Sequence, residues 1–327
     1  MSNVAYGIAA GGYTNQPAYT AFATEITLSR NWENIYLRAT PLLAKIKDGK
    51  ANWNKPGLRK GNLLITPVIY EDASTLPDGV ADASEVTPIS PYITNGFTQA
   101  QYNIAHYRQA MYVRESEKQL INNTRGNFMQ GKIEQMMADF TSAVADDLAS
   151  TSADSRTAVL GVQQVLSTSN TVGGIDQGTY TDWQSNVTTS AGAFSLDLLD
   201  DKIDAVAVRN GKIDMMLFAY SSTNNLFGKL RAALSPAERL VNANFKAKYG
   251  FTNIEYLDAV CVADNRLTAG VIVGFDSSTW FYAGDEKPVA KEVIRYPGTD
   301  MDEYMYTLWA GVGCNNPAKN FRITGVS

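Results

Sequence analysis

Hydrophobic positions in this chain repeat with two different periods, and the period changes along its length. The clearest helical stretch runs from Asn127 to Ala149. There Ile133, Met136, Met137, Phe140, Val144 and Leu148 recur at three- and four-residue steps, while Glu134, Asp139, Asp146 and Asp147 mark the wet side. A second helix is expected from Ser195, as N-cap, to Arg209, with Leu196, Leu199, Ile203 and Val206 on one face and Asn210-Gly211 as its stop. A third is expected near Thr223 to Leu234. Strand-like runs are Met215 to Tyr220, Asn253 to Leu257, Val260 to Ala263, Val271 to Phe275, Trp280 to Ala283, Val289 to Tyr296, Glu303 to Cys314 and Phe321 to Val326. In Glu303 to Cys314 both alternating faces are apolar, which predicts a central strand.

Period two also governs the first third. Asn62 to Asp72 reads as a strand, a Pro-, Ser- and Asp-rich excursion follows over Ala73 to Pro91, and Phe97 to Arg114 is a second long strand. Within it Tyr102, Ile104, His106, Arg108, Ala110 and Tyr112 share one side. Both faces are mixed. That pattern predicts either a hairpin projecting toward a neighbour or an ordinary hairpin inside a domain.

Composition narrows the partners. The 327 residues are 45% hydrophobic, enough for a substantial core, and carry a net charge of −5, which excludes a protein that coats nucleic acid through a general basic surface. Residues 1 to 29 hold Glu25 as their only charge and lack a periodic core face, so a neighbouring subunit is expected to order them. Residues 30 to 60 carry eight basic side chains against two acidic ones, a connector suited either to an acidic neighbour or to solvent. No apolar run is long enough to cross a bilayer and the start lacks a signal core, so the expectation is a chain made and kept in a cytosol, with Met1 retained and no propeptide removed.

Catalytic chemistry finds little purchase. GNFMQGKI, Gly126 to Ile133, approaches a phosphate-binding loop, but Ile133 stands where a hydroxyl should hold Mg²⁺, no strand precedes it, and Lys132 begins an amphipathic stripe. The lone histidine, His106, reads as a surface or interface residue rather than a base. Asp197, Asp200, Asp201 and Asp204 spread over the polar face of one helix. Cys261 and Cys314 have no metal-ligand spacing and read as buried reduced thiols. Leu166 to Trp183, LSTSNTVGGIDQGTYTDW, has glycines suited to tight turns and no cation for a phosphate. No cofactor or metal is expected.

The succession of these parts carries a resemblance. An uncharged arm, a basic connector, a long hairpin, a spine-like helix, the loop TSNTVGGIDQGTYTDWQ, the strand and helix DMMLFAYSSTNNLFGKLRAAL and the ending LWAGVGCNNPAKNFRITG together resemble a tailed-bacteriophage major capsid protein of the Hong Kong 97-type fold. The resemblance implies an α+β fold in four parts. These are an N-terminal arm and connector (1–60), an extended loop (61–115), a peripheral domain with the spine helix (116–185 and 286–327), and an axial domain (186–285).

The implied function is a structural one without catalysis. Copies would self-assemble as hexamers and pentamers into an icosahedral shell around double-stranded DNA, held without sequence specificity. Portal protein, and scaffolding or decoration proteins, would be further partners, with no membrane involved. Assembly would take place in the host bacterial cytoplasm, and the product would be the virion capsid.

Tyr13, Tyr19, Arg59, Lys60, Tyr70, Tyr92, Tyr102 and Arg108 are the expected inter-subunit contacts, with Gly173, Gly174 and Trp183 shaping the loop. Some members crosslink a loop Lys to an Asn near the final strand; here Asn315 and Asn316 are present but no Lys occurs between Gly61 and Glu117, so that chainmail is not expected. With about sixty residues before the loop, scaffolding is expected from a separate protein or not at all. An encapsulin-type shell is the alternative, and a nucleotide-dependent enzyme a distant one.

Overall fold

The computed structural model describes residues 41–48, 59–60, 63–69, 97–114, 128–221, 224–235, 241, 246, 253–285, 289–290, 294–295 and 301–327. In chain order they form α1 (Pro41–Asp48), β1 (Arg59–Lys60), β2 (Leu63–Ile69), β3 (Phe97–Asn103), β4 (Ala105–Arg114), α2 (Phe128–Ala149) and α3 (Val162–Val165). Next come β5 (Thr171–Val172), β6 (Ile175–Asp176), β7 (Asn186–Thr188), α4 (Leu196–Val208), β8 (Met215–Ala219), α5 (Leu226–Ala233), β9 (Asn253–Tyr256), β10 (Ala259–Asp264) and β11 (Ile272–Phe275). The last strands are β12 (Trp280–Gly284), β13 (Val289–Ala290), β14 (Ile294–Arg295), β15 (Met301–Cys314) and β16 (Phe321–Ile323).

Local chemistry explains the helix boundaries. Ser195 accepts a hydrogen bond from the Leu198 amide at 3.3 Å and starts α4; Asn210, at φ 56°, ends it. Asn225 does the same for α5 through the Gly228 amide at 2.7 Å. On α2 the predicted stripe is the buried face: Met136, Phe140, Val144 and Leu148 are all in the core. Gly131, Lys132 and Ile133 of the phosphate-loop lookalike lie inside this helix, leaving no loop there to wrap a phosphate. Gly126 lies outside the described residues.

α1 falls within the stretch read as a connector. Pro41 opens it, and Leu42 and Ile46, four residues apart, are buried. Lys45 pairs with Asp214 at 3.1 Å, so part of the basic segment is packed onto the body.

Two sheets carry the core. One has six strands in the order β7-β16-β11-β8-β10-β9; every residue of β8 is buried, as a central strand requires. The other is organised by the fourteen-residue β15, which takes β4 along one edge in a ten-residue antiparallel register and β12, β13 and β14 in turn along the other. The expected central strand is central.

Strand pairing crosses the expected domain bounds at β4, β12 and β16. Phe321–Ile323, read as peripheral, pairs with β7 and β11 in the six-stranded sheet. Trp280–Gly284, read as axial, pairs with β15. The chain crosses directly between the sheets twice, over 276–279 and 315–320, and the two crossings lie side by side.

Asn320 ties those crossings together. Its side chain is completely buried; Oδ1 accepts from the Asp276 amide at 3.0 Å and from Trp280 Nε1 at 2.9 Å, while Nδ2 donates to Thr279 Oγ1 at 3.1 Å and to the Asn316 carbonyl at 3.0 Å. Asp276 caps the adjoining 3-10 turn through the Ser278 amide at 3.0 Å and accepts the Lys212 amide at 3.2 Å. A buried amide satisfied on both sides is stabilising; deleting it strands two buried donors. Asn320→Ala is therefore expected to cost about 3 kcal/mol in urea unfolding of the unassembled subunit. An unchanged midpoint would remove the tie from the account of the fold.

Candidate functional site

The stretch read as one strand from Phe97 to Arg114 serves two sheets. β3 pairs along its whole length with β2, and β4 pairs with β15; Ile104, buried between them, is where the chain changes sheet. β1, β2 and β3 make a narrow ribbon rooted on the body. Its root is where sequence-predicted residues and chemistry meet.

Tyr102 shows what the sheet change does. It is among the expected inter-subunit contacts. It is instead completely buried in its own subunit, with its hydroxyl donating to the Cys314 carbonyl and its ring edge-on to Phe281 at 5.6 Å. Alternation continues through Ile104, but the surroundings switch from core to surface: Tyr102 and Ile104 are buried, while Arg108, Ala110 and Tyr112 are exposed. Burial pushes the Tyr102 phenol well up, so it remains a donor. Cys314 and Cys261 are both buried free thiols, and burial raises Cys314 to about 12 and Cys261 further.

The Gly-rich loop docks on the ribbon. Val172 and Ile175 pair across the two-residue turn Gly173-Gly174, whose φ values of 62° and 84° suit a tight hairpin turn. A Cβ on Gly173 would stand 2.7 Å from Ala100 Cβ and 3.0 Å from the Tyr102 hydroxyl, and the Gly173 carbonyl accepts from the Gln101 amide at 3.0 Å. Gly174 has open space around it. Trp183 is buried behind the turn, with Nε1 donating to the Val172 carbonyl at 3.3 Å. Gln177, also buried, donates to the Val165 and Trp183 carbonyls at 2.9 and 3.1 Å. This turn grips the ribbon.

A strap formed by residues 150–161 holds the sheet change from the other side. The Asn103 amide and Nδ2 donate to Asp154 Oδ2 at 2.7 and 3.1 Å, and the His106 amide donates to the Arg156 carbonyl at 2.9 Å. Tyr107 donates to Asp147 Oδ2 at 2.5 Å and accepts the Val159 amide at 3.0 Å, fixing β4 to α2. Asp154 Oδ1 is buried without a hydrogen-bond partner. Burial raises the Asp154 carboxyl to about 6, against the pull of the two Asn103 donors.

Outside the strap lies an open depression of about 300 Å³ lined by Ile104, His106, Arg108, Arg156, Thr157 and Trp309. The His106 imidazole stacks on the Trp309 indole at 4.0 Å and 12°. Arg108 is exposed on β4. Arg59 and Lys60 form β1, paired with Leu64 and Leu63 at the ribbon's edge. Tyr13, Tyr19, Tyr70 and Tyr92 lie outside the described residues. Asp154, Arg156, Trp309 and Asn320 escaped the sequence analysis because their partners are distant in the chain; Asn103 and Asp154, for example, are 51 residues apart.

Among the described residues no cluster of His, Cys, Asp or Glu is placed to hold a metal ion, and no helix is long and apolar enough to cross a membrane. Of the predicted acidic patch on α4, Asp200 accepts the Tyr256 hydroxyl at 2.6 Å, which makes it a packing contact.

No protein-family model matches the sequence, and no curated protein matches it. Solved structures do. The capsid subunit of cyanophage A-1(L) superposes with a TM-score of 0.64 at 10% identity, covering 88% of this chain and 93% of that one. The capsid of the native GTA particle gives 0.57 at 11% identity, over 82% and 86%. The holo-SrpI encapsulin complex of Synechococcus elongatus gives 0.50 at 12% identity, over 71% and 78%. The chain has the α+β Hong Kong 97-type capsid fold.

Two predictions test the root. Gly173→Ala is expected to cost about 2–3 kcal/mol, because it adds a clash to a left-handed φ, whereas Gly174→Ala should cost only about 1 kcal/mol; thermal unfolding of the two variants measures the difference. Asp154 supplies a pH signature. Its folded carboxyl titrates near pH 6 and its unfolded one near the usual value of 3.8, so stability should fall as pH rises through that interval. Asp154→Asn should flatten this slope, gaining about 1–2 kcal/mol relative to wild type at pH 7.5 over pH 4 in urea titrations.

Proposed function

We propose that this chain is the major capsid protein of a tailed bacteriophage, assembling through hexamers and pentamers into an icosahedral shell around double-stranded DNA. The observation that carries the reading is the near full-length likeness to a phage capsid subunit in fold and in the order of parts. The role is mechanical. A ribbon rooted by a Gly turn, a strap and a buried tyrosine is built to be held at one end and to reach outward at the other.

Residues 116–185 with 286–320 and Trp280–Gly284 supply the peripheral part; the rest of 186–285 joins Phe321–Ile323 as the axial part. Tyr13, Tyr19, Arg59, Lys60, Tyr70, Tyr92 and Arg108 remain proposed contacts between subunits. Portal protein, and scaffolding or decoration proteins, are the further partners. Assembly takes place in the bacterial cytoplasm, and the shell is part of the virion. No catalytic step is assigned to the chain.

An encapsulin-type compartment is the second reading, supported by the likeness to the encapsulin complex. Electron microscopy of purified protein tests the shared premise: closed spherical particles with fivefold and sixfold capsomers are expected, and only monomers or small oligomers would overturn it. Mass spectrometry then separates the two readings. Presence of the chain in DNA-filled virions supports the phage shell, and an enzyme cargo docked inside DNA-free particles supports the compartment.

A further inference from the structure

The open depression beside the strap has fixed walls and uncompensated charge. The His106 amide, bonded to the Arg156 carbonyl at 2.9 Å, ties strap to strand, and Ser155 Oγ accepts the Thr157 and Ala158 amides at 3.2 and 3.0 Å to shape the rim. Arg108 and Arg156 are both exposed, and neither has a carboxylate within ion-pair distance among the described residues. Asp147 and Asp154, which approach from α2 and the strap, accept from Tyr107 and Asn103 instead. Two guanidinium groups are left to meet an anion from outside.

The floor adds a second requirement. β4 and β15 place His106 opposite Trp309 and Arg108 opposite Thr307, so the cation stands one side-chain step, about 7 Å, along the same face from the stacked imidazole and indole. A phosphate ion or an acidic peptide would use the guanidinium groups and leave the rings idle. A base next to a phosphate uses both, since ring stacking and phosphate contact are the two elements of single-strand recognition. About 300 Å³ holds one such unit and not a length of duplex, whose bases are stacked away from any outside ring.

We propose that the depression formed by His106, Arg108, Arg156 and Trp309 binds one unpaired nucleotide, its phosphate between the two guanidinium groups and its base against the His106–Trp309 ring pair. The ligand is a free nucleotide or one residue of a single strand. Tyr112, exposed on the same face of β4 beyond Arg108, offers a second ring to a strand but not to a free nucleotide. The acidic balance of the chain excludes a general basic surface, not one local contact. The site is contained in one subunit and goes beyond the shell reading, which neither requires it nor falls with it.

Titration of the full chain with deoxyadenosine monophosphate and with a short oligodeoxyadenylate tests it, read by quenching of Trp309 fluorescence and separately by calorimetry. Saturable quenching is expected, absent in Trp309→Phe, with adenosine and inorganic phosphate each binding at least about tenfold more weakly than the nucleotide. Arg108→Gln with Arg156→Gln should weaken binding at least about tenfold and reduce its salt dependence, with the unfolding midpoint unchanged because both side chains are exposed. Tyr112→Ala separates the two sources. Weaker oligonucleotide binding with the nucleotide unchanged identifies a strand, and no effect on either identifies the free nucleotide.

Absence of saturable binding by both probes would overturn the proposal, as would quenching that survives Trp309→Phe or binding indifferent to the double Gln change. A duplex of the same sequence bound as tightly as the single strand would reduce the site to backbone charge. An oligoglutamate displacing the nucleotide at equal concentration would make it a peptide site. Either result ends the nucleotide reading.

Discussion

One buried amide holds the molecule's two sheets in register. The chain crosses directly between them twice, and Asn320 joins both crossings with hydrogen bonds to Asp276, Trp280, Thr279 and Asn316. Cys314, at the end of β15, also takes the Tyr102 hydroxyl, so the ribbon root is fastened to the same crossing point. Apolar burial gives each sheet its own stability, but burial is non-directional and fixes no angle between them. The polar cluster ties the two crossings to each other. Polar groups can do this at full burial only when their hydrogen-bond partners are supplied, and here both ends of the amide are paired.

The ribbon depends on this geometry. Its strands have little core of their own, so its direction is set where it meets the body: the Gly173 turn on one side, the strap with Asp154 on the other, and Tyr102 between. A change at any of them would alter the ribbon's aim before it altered the fold. The ribbon's direction is thus set from a small area around Ile104.

Much of the fold was legible in the sequence because its signals are local. The stripe on α2, the Ser195 cap, the Asn210 stop and the two apolar faces of β15 each involve residues within a few positions of one another. The turn at Gly173-Gly174 was legible for the same reason. What escaped were facts of tertiary pairing. Periodicity placed Tyr102 and Arg108 on one side, but nothing in the alternation records that the strand changes sheet at Ile104, which buries one and exposes the other. Nor does composition record that Phe321–Ile323 leaves β15's sheet for the other one, or that α1 within a basic segment packs Leu42 and Ile46 into the core. Arg108, Arg156 and Trp309 line one depression but come from remote parts of the chain.

The outermost strands of the six-stranded sheet have a bearing on solubility at high concentration. β7 is three residues long and β9 four, and the interior strands between them are paired on both edges. β15, the longest strand, likewise has neighbours along both edges. Identical chains crowded together tend to zip along exposed strand edges into fibres, and short edges give such growth little to start from. In the six-stranded sheet, association is therefore left to side chains and their charges, where it can be specific, rather than to backbone pairing, where it cannot.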